Sequence, residues 1–169
     1  MKPKSFARQG LQLFFCATLM ILPASFYATA APQSAPNILV SGKLSADSVR
    51  RRRSVRGTVV MDIPSGYHVN SSRPLEKFLI ATQLQIEAPN GIRVGPVVYP
   101  RAVLRNFKFS KTRVSVYEGR AVMSFSATVP ANAAAGPVEL KGHLRYQSCN
   151  DDFCFPPRTQ EFSLRLTVN

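Results

Sequence analysis

Apolar side chains recur at every second position through most of the chain beyond residue 36, and that period restricts it to pleated strands with one dry face. In "SVRGTVVMDI", residues 54–63, Val55, Val59, Met61 and Ile63 share one side, while Arg56, Thr58 and Asp62 share the other. "QLQIEA" sets Leu84, Ile86 and Ala88 against Gln83, Gln85 and Glu87. The same alternation runs through "AVMSFSATV" (121–129), "VELKGHLRY" (138–146) and "FSLRLTV" (162–168). The 3.6-residue period of a helix is nowhere sustained. A single helical turn is expected in "RPLEKFL", residues 73–79, behind Ser72 and with Pro74 near its first position. Turn residues separate the runs at "PSG" (64–66), "PNG" (89–91), "YEG" (117–119) and "NAAAGP" (132–137). About seven to nine short strands spaced in this way predict an all-β chain, an immunoglobulin-like antiparallel β-sandwich.

The N-terminus follows other rules. Lys2, Lys4 and Arg8 precede an apolar run over 11–22, and Ala28-Thr29-Ala30 has the small-x-small form of a cleavage site. These features predict a cleavable secretory signal peptide over 1–30, since the apolar run is too short, and too soon broken by Pro23, to cross a bilayer. A short disordered leader is expected over 31–36 and one domain over 37–169, located in the periplasm or outside the cell. A monomer is expected.

Charge narrows the function further. The chain carries 22 Lys and Arg against 9 Asp and Glu, and its densest cluster is "VRRRRSVR", with Arg50, Arg51, Arg52 and Arg53 in succession. Such a run reads as a solvated loop entering a strand, or as a weak contact for an anionic surface. Nucleic acid is excluded as a partner for a secreted chain that has no recognisable binding module. Hydrolytic chemistry is excluded as well. The carboxylates are scattered, His68 and His143 are the only candidate imidazole bases, and no serine sits in a strained elbow motif. Asn70-Ser71-Ser72 matches a glycosylation acceptor pattern.

One stretch stands apart: "YQSCNDDFCFPP", residues 146–157. Cys16 leaves with the signal peptide, so Cys149 and Cys154 remain, and in an oxidising compartment they have only each other. As a staple the pair would be weak, because closing so small a loop stabilises a fold by only about 2 kcal/mol. As a metal clamp it would need two further ligands, with only His68 and His143 to draw on, and no metal or cofactor is expected. As a redox pair on a hairpin end it would be open to a partner's thiolate, with Pro156 and Pro157 stiffening the exit. Asp151 and Asp152 would disfavour a thiolate here, unless Arg145 and Arg158 fold back to offset them. Phe153 and Phe155 read either as docking contacts or as hairpin core. Spacing alone puts the redox reading only slightly ahead of the staple.

Several segments together resemble a known family. "IPSGYHVNSSRPLEKFLIATQLQI", "VVYP", "VYEGRAVMSFSATVP" and above all "YQSCNDDFCFPP" are similar to the N-terminal domain of the thiol:disulfide interchange protein DsbD family, in its stand-alone secreted form. The resemblance implies an immunoglobulin-like sandwich whose cysteine pair, here Cys149 and Cys154, relays electrons to or from thioredoxin-like proteins or a membrane electron carrier. It implies a cap loop near residues 106–111, with Phe107 or Phe109 as the shielding ring. Tyr67 and His68 would line the sulfurs, and Cys154 would be the cysteine attacked. The cysteine spacing is one residue shorter than in the best-known members, which alters the ring. A different class of function remains as the alternative: a non-catalytic secreted sandwich that binds through its basic loop, with a structural disulfide.

Overall fold

The structure is a computed structural model that describes residues 34–169. The signal peptide expected over 1–30 and the first part of the leader lie outside the described residues. Twelve strands follow in chain order: β1 Leu39–Leu44, β2 Ser48–Val49, β3 Ser54–Asp62, β4 His68–Asn70, β5 Gln83–Glu87 and β6 Arg93–Val94, then β7 Val103–Arg105, β8 Val114–Tyr117, β9 Arg120–Thr128, β10 Gly136–Tyr146, β11 Ser148–Cys149 and β12 Arg158–Val168. Three of these, β2, β6 and β11, are only two residues long, so nine strands carry the architecture.

Two four-stranded sheets form the sandwich, one in the order β1-β3-β9-β6 and the other β2-β12-β10-β5. Val55, Val59 and Met61 of β3 and Ala121, Met123, Phe125 and Ala127 of β9 face Leu140 and Leu144 of β10 and Leu164 and Leu166 of β12 in one core. The period-two stripes are therefore the two inner faces of an immunoglobulin-like sandwich. Burying an aliphatic side chain of this size contributes about 1.5–3 kcal/mol, which makes the inner stripes the main source of stability.

Two glycines let aromatic rings close over the sheets. Gly57 pairs with Phe125 across β3 and β9, and Gly142 pairs with Phe162 across β10 and β12. In each case the ring lies over the glycine backbone, where a methyl group would collide with it.

A third, smaller sheet, β11-β4-β8-β7, stands at one end of the sandwich. The Arg50–Arg53 turn stands at the other. Along β12, Arg158 lies opposite Tyr146, just before the cysteine segment, and Val168 lies opposite Val49, just before Arg50. The 11 residues of β12, at about 3.3 Å each, separate the two ends by roughly 33 Å. The turn is built firmly. The Arg52 amide donates to the Val129 carbonyl at 2.9 Å, Arg51 Nε donates to the Ala133 carbonyl at 2.7 Å, and Arg52 adopts a left-handed φ of 63°. All four arginines are exposed, and among the described residues none forms an ion pair.

The helical turn expected over 73–79 is absent. That segment is a series of bends closed by one turn hydrogen bond, from the Leu79 amide to the Glu76 carbonyl at 3.2 Å. Packing explains the difference: Leu79 is drawn inward, whereas Leu75 and Phe78 are each left 62% exposed. Asn70 is fully buried and donates through Nδ2 to the Ile80 carbonyl and to Gln147 Oε1, so the acceptor pattern at 70–72 has no accessible amide.

Gly57→Ala is expected to destabilise the domain by roughly 1–3 kcal/mol, the usual cost of overpacking a filled site. Urea denaturation with an unchanged midpoint would mean that the Phe125 ring is free to move aside.

Candidate active site

The site is assembled on the third sheet. β10 ends at Tyr146, and the chain continues into β11, which leaves the sandwich to pair with β4 in the register Ser148↔Val69 and Cys149↔His68. It then turns back on itself. Asn150 Oδ1 accepts hydrogen bonds from the amides of Asp152 (3.0 Å) and Phe153 (2.9 Å), an Asx turn that closes the loop. Cys154 returns beside Cys149 as an isolated antiparallel bridge, with Cα atoms 3.9 Å apart, and the two sulfurs form a disulfide. Directly opposed residues of antiparallel strands project to the same face. His68, Cys149 and Cys154 therefore stand in a row across three neighbouring segments.

Exposure divides the two cysteines. Cys149 is fully buried at 0%, whereas Cys154 is only partly buried, packed beside Phe107, Phe109, Leu79, Val114 and Val116. The loop over 106–111 meets the His68 end of this row and the cysteine turn. Phe107 stacks on the His68 ring with centroids 3.9 Å apart and planes 14° apart, and Phe109 stacks on Phe107 at 5.3 Å. The Lys108 amide donates to the Asp151 carbonyl at 3.2 Å, and Lys108 Nζ meets Asp152 Oδ1 at 2.8 Å. This clasp joins the aromatic loop to the cysteine turn. The cation that answers the acidic turn is thus Lys108. Arg145 and Arg158 are exposed residues of β10 and β12 and make no ion pair with Asp151 or Asp152.

The remaining candidates separate clearly. Phe155 is buried against Tyr67, with ring centroids 6.1 Å apart, and belongs to the hairpin core. Phe153 leans its edge on Phe155 and stays 40% exposed at the turn. His143 lies on the outer face of β10, 3.8 Å from Glu87 and 3.4 Å from Glu161, away from the sulfurs. Among the described residues no three His, Cys, Asp or Glu side chains gather as metal ligands.

His68 is 2% exposed, and its Nε2 has no hydrogen-bond partner. Burial pushes its pKa down to about 4, against an opposing pull from the carboxylates of Glu118 and Asp151. The imidazole is therefore neutral at physiological pH.

Gln147 escapes sequence reasoning as a structural part of this site. Its Oε1 accepts from Asn70 Nδ2 (3.0 Å) and from the Ile80 amide (3.1 Å), and its Nε2 donates to the Phe155 carbonyl (3.2 Å). Its signal in the sequence is slight: a polar residue directly before the cysteine segment, where the strand alternation stops.

Residues 37–166 match the family described as "Thiol:disulfide interchange protein DsbD, N-terminal". The chain belongs to this family. As a DsbD N-terminal domain it is a thiol–disulfide interchange module by family, and its disulfide lies within the matched residues. Among solved structures, the reduced N-terminal domain of Neisseria meningitidis DsbD is 21% identical, with a TM-score of 0.46, over 76% of this chain and 88% of that one. The N-terminal periplasmic domain of Proteus mirabilis ScsB is 13% identical, with a TM-score of 0.48, over 76% of this chain and 44% of that one, so this chain spans less than half of its length. A type I cohesin of Pseudobacteroides cellulosolvens is 10% identical, with a TM-score of 0.45, over 77% of this chain and 92% of that one. No curated protein matches the sequence. Among the described residues no helix is long and apolar enough to cross a membrane.

The buried imidazole predicts a pH dependence. An unfolded His68 takes up a proton as pH falls through about 6.5, while the folded one resists until about 4. Stability should therefore drop progressively across that window, by at most roughly 3 kcal/mol at 1.36 kcal/mol per pKa unit, and level off below it. Denaturation midpoints between pH 7 and 4 should show a smaller drop in His68→Gln; equal drops in both proteins would assign the effect to other groups.

Proposed function

We propose that this domain exchanges its Cys149–Cys154 disulfide with thioredoxin-like proteins in the periplasm. The observation that carries this reading is the inequality of the two sulfurs: Cys149 is sealed, while Cys154 lies at the edge, beneath a loop held mainly by stacking and an exposed clasp. A purely structural bridge gains nothing from a removable cover, whereas an exchange site needs one. The cover keeps stray thiols away, and a docking partner lifts it.

The steps follow from access. The loop over 106–111 moves aside, taking Phe107 and Phe109 off the row. A partner thiolate attacks Cys154 Sγ, a new sulfur–sulfur bond forms there, and Cys149 Sγ leaves with the electron pair of the old bond. The partner's second thiolate then attacks the mixed disulfide and releases Cys154. Two electrons pass from partner to domain, and the reverse sequence returns them. Asp151 and Asp152 sit beside the attacked cysteine and disfavour a lasting thiolate, which suits a pair that is acted upon by others.

The alternative, a binding module that uses the Arg50–Arg53 turn with an inert disulfide, gives no reason for a clasped aromatic loop over the sulfurs. It also places the binding end roughly 33 Å from them. That turn remains available for a weak anionic contact.

Cys149→Ala should trap a thioredoxin-like partner through Cys154 as a mixed disulfide that survives non-reducing electrophoresis, and Cys154→Ala should not. If Cys149→Ala captures nothing and only lowers stability by about 2 kcal/mol, the bridge is a staple. The cover makes a separate prediction. Replacing Phe107 and Phe109 together by Ala should speed reduction of the disulfide by a small thiol roughly tenfold, equivalent to about 1.4 kcal/mol of lost closure. Stopped-flow traces with the unaltered rate would show that the loop shields nothing.

A further inference from the structure

Burying a polar atom without a hydrogen bond costs free energy, so an orphaned imidazole nitrogen in a closed site calls for a physical reason. His68 Nε2 is such an atom, in a ring 2% exposed and fixed by the stacked Phe107. The ring stands directly across from Cys149 in the β4–β11 register, on the face that carries the disulfide. Cys149 is the more deeply buried sulfur and the one that departs when Cys154 is attacked. Cys149 is shut off from solvent, and the cluster against which its partner Cys154 packs, Leu79, Val114 and Val116, is apolar and offers a thiolate no hydrogen bond. The nearby charges oppose it: Glu118 and Asp151 both act on the His68 position. Lys108, the cation at the turn, is exposed and already engaged with Asp152.

We propose that His68 donates the hydrogen bond that receives the Cys149 thiolate when the disulfide opens, so that the unpartnered nitrogen of the oxidised state gains its partner in the reduced one. This rests on the interchange reading above and assigns a residue to its leaving-group step. No proton transfer is needed. The partner's sulfur bonds to Cys154, the electron pair of the broken bond stays on Cys149, and the neutral imidazole N–H points a dipole at it. When the thiolate is later protonated, a thiol sulfur is a weak acceptor and the N–H lets it go. A neutral ring suits this role better than a charged one, because an imidazolium would hold Cys149 as a thiolate and slow the return reaction.

Two variants separate chemistry from packing. His68→Phe keeps a flat ring under Phe107 and removes the donor, while His68→Gln keeps an N–H and removes the aromatic stack. Reduction of the oxidised protein by 2-mercaptoethanol, followed by alkylation and mass spectrometry, should be about tenfold slower in His68→Phe and largely restored in His68→Gln. The same ratio should persist when Phe107 and Phe109 are both Ala, since the cover is then gone. In a Cys154→Ser background, His68→Phe should raise the pKa of the Cys149 thiol, read from its pH-dependent absorbance at 240 nm. Equal reduction rates for His68→Phe and the unaltered protein, or an unmoved thiol pKa, would overturn the assignment and leave His68 as packing. The two readings fail separately. A slower His68→Phe with no partner trapped by Cys149→Ala keeps this assignment and sinks the relay, whereas trapping with an unchanged His68→Phe does the reverse.

Discussion

The Gln147 carboxamide ties the disulfide corner together. It bonds Asn70 of β4, the Ile80 amide in the loop beyond, and the Phe155 carbonyl on the exit from the cysteine turn. It adds side-chain bonds to the backbone ladder and the disulfide that already join these segments. A half-buried amide with partners for both its oxygen and its nitrogen is directional in a way that aliphatic packing is not. The position of the cysteine row relative to the aromatic loop depends on that directionality. The sandwich supplies stability, and this amide supplies register at its edge.

The division of labour explains how much the sequence revealed. Strands with one wet and one dry face leave a period-two trace, so β3, β5, β9, β10 and β12 were legible residue by residue, and so were the turns at Gly66, Asn90-Gly91, Gly119 and Gly136, all with positive φ. The cysteine segment was legible because its two sulfurs have no other partner, and its likeness to the DsbD N-terminal family pointed to the 106–111 loop and to His68. The third sheet was not legible. Its strands β4 and β8 are buried on both faces, which erases alternation. Gln147, Asn70 and Lys108 find partners 77, 10 and 44 residues away, and no local pattern encodes such pairings. The segment over 73–79 misled because its proline and serine suit a helix start, whereas the burial of Leu79 dictates bends.

A disulfide in so small a ring does little for the unfolded-state entropy of a domain that already has a two-sheet core. The loop over 106–111, by contrast, is held by three stacked aromatic or imidazole rings and two contacts from one lysine. That loop is fastened to the cysteine turn through the Asp151 carbonyl and the Asp152 carboxylate. Movement of the turn and movement of the loop are therefore coupled, and a partner that grips either one disturbs the other.

The length of β12 has an electrical consequence. Fields in physiological salt decay over about 8 Å, so a separation of roughly 33 Å spans some four decay lengths. Whatever potential the four arginines create at one end, the sulfurs at the other do not feel it. Charge at the arginine turn is free to change without altering the field at the disulfide, and the length of one strand insulates the two ends of the domain from each other.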